Sequence, residues 1–272
     1  MPENHQSIRK KIPMKKRFKQ TILLACGLLS FSLLADNVPY ATKAPVIDGD
    51  PSDIAWTSAE WVDINHLVLG SQPDENDFKG RYKLVWNKDH LYLLAEITDD
   101  VLRDSHADPL LTYWDDDTLE IFIDEDASGG DHLYNYNAFA YHIALDNQAV
   151  DIGPFHSDAD QQAGKRNIRV FPEHIQAQWK RGNEQPHPVY WEVKLAVYGD
   201  DFQDSYSAGQ KAATPVKLEA GKTLGFMVAY CDSDNGLTRE HFMGDIDIEP
   251  VDGDRNRGYI DASVFGTIHL VD

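Results

Sequence analysis

The strongest constraint on the fold is a succession of short segments in which apolar and polar residues alternate, each closed by turn residues. Residues 81–86 place Tyr82, Leu84 and Trp86 on one face. Asn87-Lys88-Asp89 then reverses the chain, and 91–97 returns with Leu91, Leu93, Ala95 and Ile97 toward the core, which predicts a β-hairpin. Thr118–Asp124 sets Leu119, Ile121 and Ile123 inward and leaves Thr118, Glu120, Phe122 and Asp124 on the opposite face. Trp191, Val193, Leu195 and Val197 alternate with Glu192, Lys194 and Ala196 in the same way. Further strands are predicted at 138–145, 174–180, 188–197, 223–231 and 264–271. No comparable segment shows a 3.6-residue apolar period, and the one helix predicted is short, at 53–60, capped by Ser52 or Asp53. Many short strands with few helices specify an all-β fold, an antiparallel, jelly-roll-like β-sandwich. No repeat or linker divides the 272 residues, so a single domain with one core is expected.

That domain does not begin at residue 1. Arg9, Lys10, Lys11, Lys15, Lys16, Arg17 and Lys19 stand against one acid, Glu3, and an apolar run from Ile22 to Leu34 ends at the small Ala35. A basic head, a short apolar stretch and a small residue predict a signal peptide over 1–35, with translation starting at Met1 or at Met14. The run is too short for a membrane span, which needs roughly 20 apolar residues. Export to the periplasm or the outside is therefore expected. Cys26, with only four apolar residues before it, is a poor site for lipid attachment.

The formal charge of the full chain is −20, and taking off residues 1–35 makes it more negative still. Such a surface excludes nucleic acid and anionic membrane as partners, since both need positive charge. It also leaves room for carboxylates paired with a divalent cation. Beyond residue 35 only Cys231 remains, which forbids an intramolecular disulfide and suggests a buried thiol.

Catalytic signatures are missing. The sequence has no Gly-x-Ser-x-Gly elbow, no His-Glu-x-x-His and no phosphate-binding glycine loop. Acids are so abundant that a pair at glycosidase spacing would carry no information. Asp232-Ser233-Asp234-Asn235-Gly236 resembles the start of an EF-hand loop, yet its glycine comes one residue early and Met243 stands where the bidentate Glu belongs. A calcium-holding sandwich loop with Asp232 and Asp234 as ligands and an Asx-rich turn are both compatible with it. A second acidic group, Asp245, Asp247, Glu249, Asp252 and Asp254, reads as a solvated loop. Trp114, before Asp115-Asp116-Asp117, and Tyr259, within a polar stretch, are aromatic residues outside apolar strand faces. An exposed ring can stack on the apolar face of a sugar while neighbouring amides and charges bond its hydroxyls.

Five stretches, taken in order, resemble the family 9 carbohydrate-binding modules. They are Ala44-Pro45-Val46-Ile47-Asp48-Gly49-Asp50 with Ile54-Ala55-Trp56; Lys83-Leu84-Val85-Trp86-Asn87 with Leu91-Tyr92-Leu93-Leu94-Ala95 and Asp99; Trp114 through Asp124; Leu224-Gly225-Phe226 with Asp232; and Phe265-Gly266-Thr267-Ile268-His269-Leu270. The resemblance covers 44–272. It implies a non-catalytic module that clamps the terminal sugar of an oligosaccharide or polysaccharide between two aromatic rings, with structural calcium. Trp114 and Tyr259 fall on the clamp positions, Glu120 on an acid that accepts from sugar hydroxyls, and Asn256 on an amide beside the clamp. Ala140 replaces an arginine and His142 an asparagine of the family's hydrogen-bonding set, which opens the ligand to something other than a cellulose or xylan end. Arg239 or Arg257 could supply the guanidinium from another loop.

Three other readings are carried forward. Related sandwiches bind haem b, for which Met227, Met243, His142 and His241 are the candidate ligands. The others are a glycoside hydrolase and a sandwich whose sugar site has decayed. A module without an attached enzyme would act beside a separately encoded glycoside hydrolase.

Overall fold

The computed structural model describes residues 36–236 and 238–272. The expected export segment, the alternative start at Met14 and lipid attachment at Cys26 lie outside the described residues. No described helix is long and apolar enough to cross a membrane.

Fourteen strands make up the described fold: β1 (Asp36–Pro39), β2 (Val62–Ile64), β3 (His66–Gly70), β4 (Phe78–Trp86), β5 (Leu91–Asp99), β6 (Thr118–Asp124), β7 (Phe139–Ala144), β8 (Ala149–Gly153), β9 (Asn167–Val170), β10 (Ile175–Arg181), β11 (Val189–Leu195), β12 (Thr223–Asp232), β13 (His241–Gly244) and β14 (Gly266–Val271). A short helix α1 (Asp158–Gln162) and two 3-10 turns, Ile54–Ser58 and Ala262–Val264, complete the elements. The larger sheet runs β1-β14-β12-β6-β7-β8-β9, with β13 also on β12 and β3 on β13; the smaller runs β10-β11-β5-β4-β2. The predicted hairpin is β4–β5, in register from Phe78 opposite Asp99 to Trp86 opposite Leu91.

Between the sheets lies one core. Tyr82, Leu84, Leu93, Ile97, Trp191 and Val193 of the smaller sheet meet Leu119, Ile121, Tyr141, Phe226 and Tyr230 of the larger. The alternation read from the sequence is what assembles it, because successive strand residues point to opposite faces. The outward faces are covered too. Val85, Tyr92 and Leu94 pack under Ala55, Trp56 and Ala59, while Phe122, Ala140, Met227, Ala229, Cys231 and Phe242 form a third cluster behind the larger sheet. All seven residues of β6 are consequently buried.

Three expectations need correction. The sandwich is not wholly antiparallel, since β1 pairs with β14 in parallel. The segment at 53–60 forms a single 3-10 turn in which no side chain caps the first residue; Asp53 Oδ2 instead accepts from Val46 N at 2.7 Å. Asp245 is not a loop acid in solvent, for it accepts from Tyr82 Oη at 2.6 Å and Val228 N at 3.0 Å.

The opening segment is held by one buried acid. Glu192 on β11 accepts from Asp48 N and Gly49 N, both at 2.9 Å, and from Trp56 Nε1 at 2.9 Å. Gly49 adopts φ +77° and passes so close to β10 that a Cβ there would meet Lys180 N at 2.6 Å. Glu192→Ala leaves three donors without their acceptor and is expected to cost about 3 kcal/mol. A urea midpoint equal to wild type would show that Glu192 does not anchor residues 46–56.

Candidate functional site

The third apolar cluster covers only part of the larger sheet's outer face. The remainder is the floor of a cavity of about 340 Å³. Antiparallel pairing sets Glu120 of β6 directly opposite His142 of β7, and alternation turns both away from the core. Trp114, Glu120, His142, Asn256 and Tyr259 all line this cavity. The five residues that the family resemblance marks for the sugar site are therefore gathered there, from stretches that lie more than a hundred positions apart.

The walls are loops fixed by specific bonds. Trp114 follows Thr112, held at φ +46°, and the turn is closed by Asp115 N donating to Thr112 O at 2.8 Å. Thr118 Oγ1 donates to Tyr113 O at 3.2 Å and Asp116 O at 3.0 Å, which ties the loop to the start of β6. Tyr113 stands edge-on to both Trp114 and His142, with ring centroids 4.9 and 4.7 Å away. Tyr259, also on the cavity lining, is exposed over 41% of its surface. Its neighbour Gly258 lies against the sheet, where a Cβ would meet Met227 Cε at 2.5 Å, and Gly258 O accepts from His132 Nε2 at 2.7 Å.

Electrostatics on the floor centre on Glu120. His142 Nε2 lies 3.1 Å from Oε1, the Cys231 thiol donates to the same oxygen at 2.9 Å, and Arg239 Nη1 is 3.7 Å from it. The other nitrogen of His142, Nδ1, donates to Ala140 O at 3.0 Å. Burial pushes Glu120 upward, but the charge and hydrogen bond of His142, aided by Arg239 and Cys231, outweigh it and hold the carboxyl below its usual range. Burial and the adjacent Glu120 charge drive the Cys231 thiol well above its usual pKa. Among the described residues Glu120 is the one carboxylate lining the cavity, so a pair of acids flanking a glycosidic bond is not assembled there.

Of the two arginines considered as replacements for the guanidinium at Ala140, Arg239 lines the cavity and lies 4.4 Å over the Phe242 ring, and Arg257 does not line it. Ala140 sits in the apolar cluster, paired with Phe122. Sequence reasoning missed Tyr113, Tyr134 and Arg166. Nothing in their local pattern marks them, because the topology alone brings their loops to the floor. The haem candidates do not converge. Met227 and Met243 are buried in separate clusters, and His241 is engaged by Ser71 O at 2.6 Å and Asp77 at 3.1 Å, outside the cavity that His142 lines.

Asp232 and Asp234 fall in a different place. Asp99, Asp117 and Asp232 bring carboxylate oxygens within 4.8 Å of one another, and overlapping groups add Asp77, Asp100, Asp234, Glu240 and His241. Both carboxylate oxygens of Asp232 and Oδ1 of Asp234 are buried without a hydrogen-bond partner. Burial first, then mutual repulsion, raises Asp99, Asp117 and Asp232, the last to about 8. Hard oxygen donors with unused lone pairs suit a divalent cation of the calcium type. This cluster and the cavity share backbone: Asp117 accepts from Ser233 N at 2.8 Å and from Arg103 N, and Arg239 N donates to Asp115 Oδ1 at 3.3 Å.

A family model described as "Carbohydrate family 9 binding domain-like" matches residues 47–272. Endo-1,4-beta-xylanase A of Thermotoga neapolitana is 35% identical over 97 residues, and endo-1,4-beta-xylanase A of Thermoanaerobacterium saccharolyticum 30% identical over 136. These stretches cover 35% and 50% of this chain but only 8% and 11% of the two relatives. A solved family 9 carbohydrate-binding module of Caldicellulosiruptor kristjanssonii, in complex with cellotriose, superposes with a TM-score of 0.59 at 20% identity, covering 87% of this chain and 93% of that one. At that identity the likeness speaks for the fold.

Asp151 on β8 provides a pH test. Its carboxylate accepts from Ala140 N at 3.0 Å and Ile152 N at 2.7 Å, and burial raises its pKa to about 7. The folded chain holds this proton at a pH where the unfolded chain has released it. Stability from this group is therefore full below the ordinary Asp range and falls as pH rises toward about 7, by at most about 1.4 kcal/mol per pH unit. Asp151→Asn is expected to flatten urea-midpoint curves between these limits; a slope unchanged from wild type refutes the assignment.

Proposed function

This chain belongs to the carbohydrate family 9 binding domain-like family, and from that membership we propose that it is a non-catalytic module that captures a sugar in the cavity above β6 and β7. The observation that carries the reading is the convergence of Trp114, Glu120, His142, Asn256 and Tyr259 on that one cavity. Trp114 and Tyr259 clamp the ring through its apolar faces. Glu120 accepts from sugar hydroxyls and stays charged because His142, Arg239 and Cys231 compensate it. Asn256 and Arg239 donate. A pocket of preformed polar groups between aromatic walls is the usual form of a small-ligand site. The ligand is the end of an oligosaccharide or polysaccharide, and the chain works outside the cytoplasm, in the periplasm or beyond, in support of a glycoside hydrolase.

Calcium belongs to the same reading. Asp232 and Asp234, with Asp99, Asp117 and the half-buried Asp77, supply the oxygens, and the bound ion would offset the repulsion among them. Because Asp117 lies three residues after Trp114 and Asp232 seven before Arg239, holding these acids together also steadies both sides of the cavity.

Isothermal titration against neutral oligosaccharides tests capture. Trp114→Ala is expected to weaken binding by about 2 kcal/mol, roughly 30-fold, while absence of heat with every sugar would refute the module reading. Thermal melting tests the metal. Calcium at a hundred times its dissociation constant is expected to add about 2.7 kcal/mol, and Asp232→Asn to remove that gain; identical melts in calcium and in chelator would exclude a structural ion.

A further inference from the structure

The cavity is cationic, in a chain whose formal charge is −20. Two guanidiniums, Arg166 and Arg239, line it against a single carboxylate, and that carboxylate, Glu120, is already engaged by His142, Cys231 and Arg239. Arg166 differs from Arg239. It is exposed at the cavity edge and, like Arg103, Arg181 and Arg257, forms no ion pair among the described residues, but of these four only Arg166 lines the cavity.

Its place is not accidental slack in a loop. Lys165 N donates to Asp160 O at 2.9 Å, closing the turn after α1. On the other side, Asn167 opens β9 buried, with Nδ2 donating to Pro154 O at 3.1 Å and to Asp204. Both neighbours of Arg166 are held by these bonds, and its exposed side chain lines the cavity together with Ile152 and Tyr134.

Resting on the sugar-capture reading, we propose that the ligand is an acidic sugar, a chain end or oligosaccharide terminating in a uronic acid, whose carboxylate is taken by Arg166. A guanidinium has five donors and no acceptor, and its planar fork matches a carboxylate through two parallel hydrogen bonds. Neutral hydroxyls satisfy such donors but leave the charge uncompensated. A carboxylate on the sugar ring is compatible with the aromatic clamp, because the acid lies at the ring's edge while Trp114 stacks on its face. The acidic remainder of the surface repels anions in general, which leaves the cavity as the place where a negative ligand is favoured.

The test compares glucuronic acid, glucose and glucose 6-sulfate by isothermal titration on wild type, Arg166→Gln and Trp114→Ala. Glucuronic acid is expected to bind wild type about tenfold more tightly than glucose, and Arg166→Gln to lower that ratio about tenfold. Trp114→Ala is expected to weaken both sugars by similar factors and leave the ratio in place. Equal affinity for glucose and glucuronic acid overturns the acidic-sugar inference while leaving sugar capture intact. So does an Arg166→Gln ratio equal to wild type. Tighter binding of the sulfate ester than of the uronic acid overturns the choice of carboxylate. Failure of all three ligands, and of the neutral oligosaccharides above, overturns sugar capture itself.

Discussion

Two-sided burial of β6 is the constraint on which the rest of the molecule depends. Leu119, Ile121 and Ile123 point into the space between the sheets, and Thr118, Glu120, Phe122 and Asp124 point out of it, yet none of the seven is exposed. A strand in this position cannot be slipped by one residue. Such a shift would drive Glu120 into the core and bring leucine and isoleucine to the cavity floor, so register is specified from both faces at once. The floor is thus as rigid as the core it backs onto, and the variable parts of the site are its loops.

That rigidity comes with buried charge, which a protein tolerates only when it is compensated. The two charged clusters here meet that demand in different ways. Around Glu120 the compensation is internal, from a histidine, an arginine and a thiol. Around Asp232 it is incomplete, and the carboxylates are pushed toward protonation. The first arrangement is self-sufficient and keeps an acid ionised; the second leaves oxygens that a cation from solution would compensate. Both act on the same two loops, because Asp115 and Asp117 bond to Arg239 N and Ser233 N.

Much of the fold was legible because its central strands are long enough to alternate visibly. β4, β5, β6 and β11 each run seven residues or more, and their inward residues were assigned correctly; β12, the longest, was placed as a strand. The short strands β2, β3, β8, β9 and β13 were not found, since three to five residues cannot display a period of two against loop background. The parallel pairing of β1 was invisible for another reason: partner choice is decided by tertiary packing. At the site, the residues carried by the family resemblance landed together. Arg166 and Tyr134 did not announce themselves, since each lies in a polar loop like any other, Tyr134 ahead of β7 and Arg166 ahead of β9, until the sheet brings both loops to one cavity. The acidic cluster was legible only at Asp232 and Asp234, whose spacing is local; Asp77, Asp99 and Asp117 join from three other segments.

Cys231 lies beside Glu120 on the outward face of the larger sheet, and its hydrogen bond to Glu120 has a practical side. Nucleophilic attack requires the thiolate, and this sulfur donates its proton to a neighbouring carboxylate in a place that solvent does not reach. Maleimides, oxidised glutathione and other thiol reagents find no reactive partner at position 231 in the native fold. In a chain without Cys26, a cysteine engineered into the cavity rim would therefore take a dye or spin label by itself, with Cys231 left in place as a silent bystander.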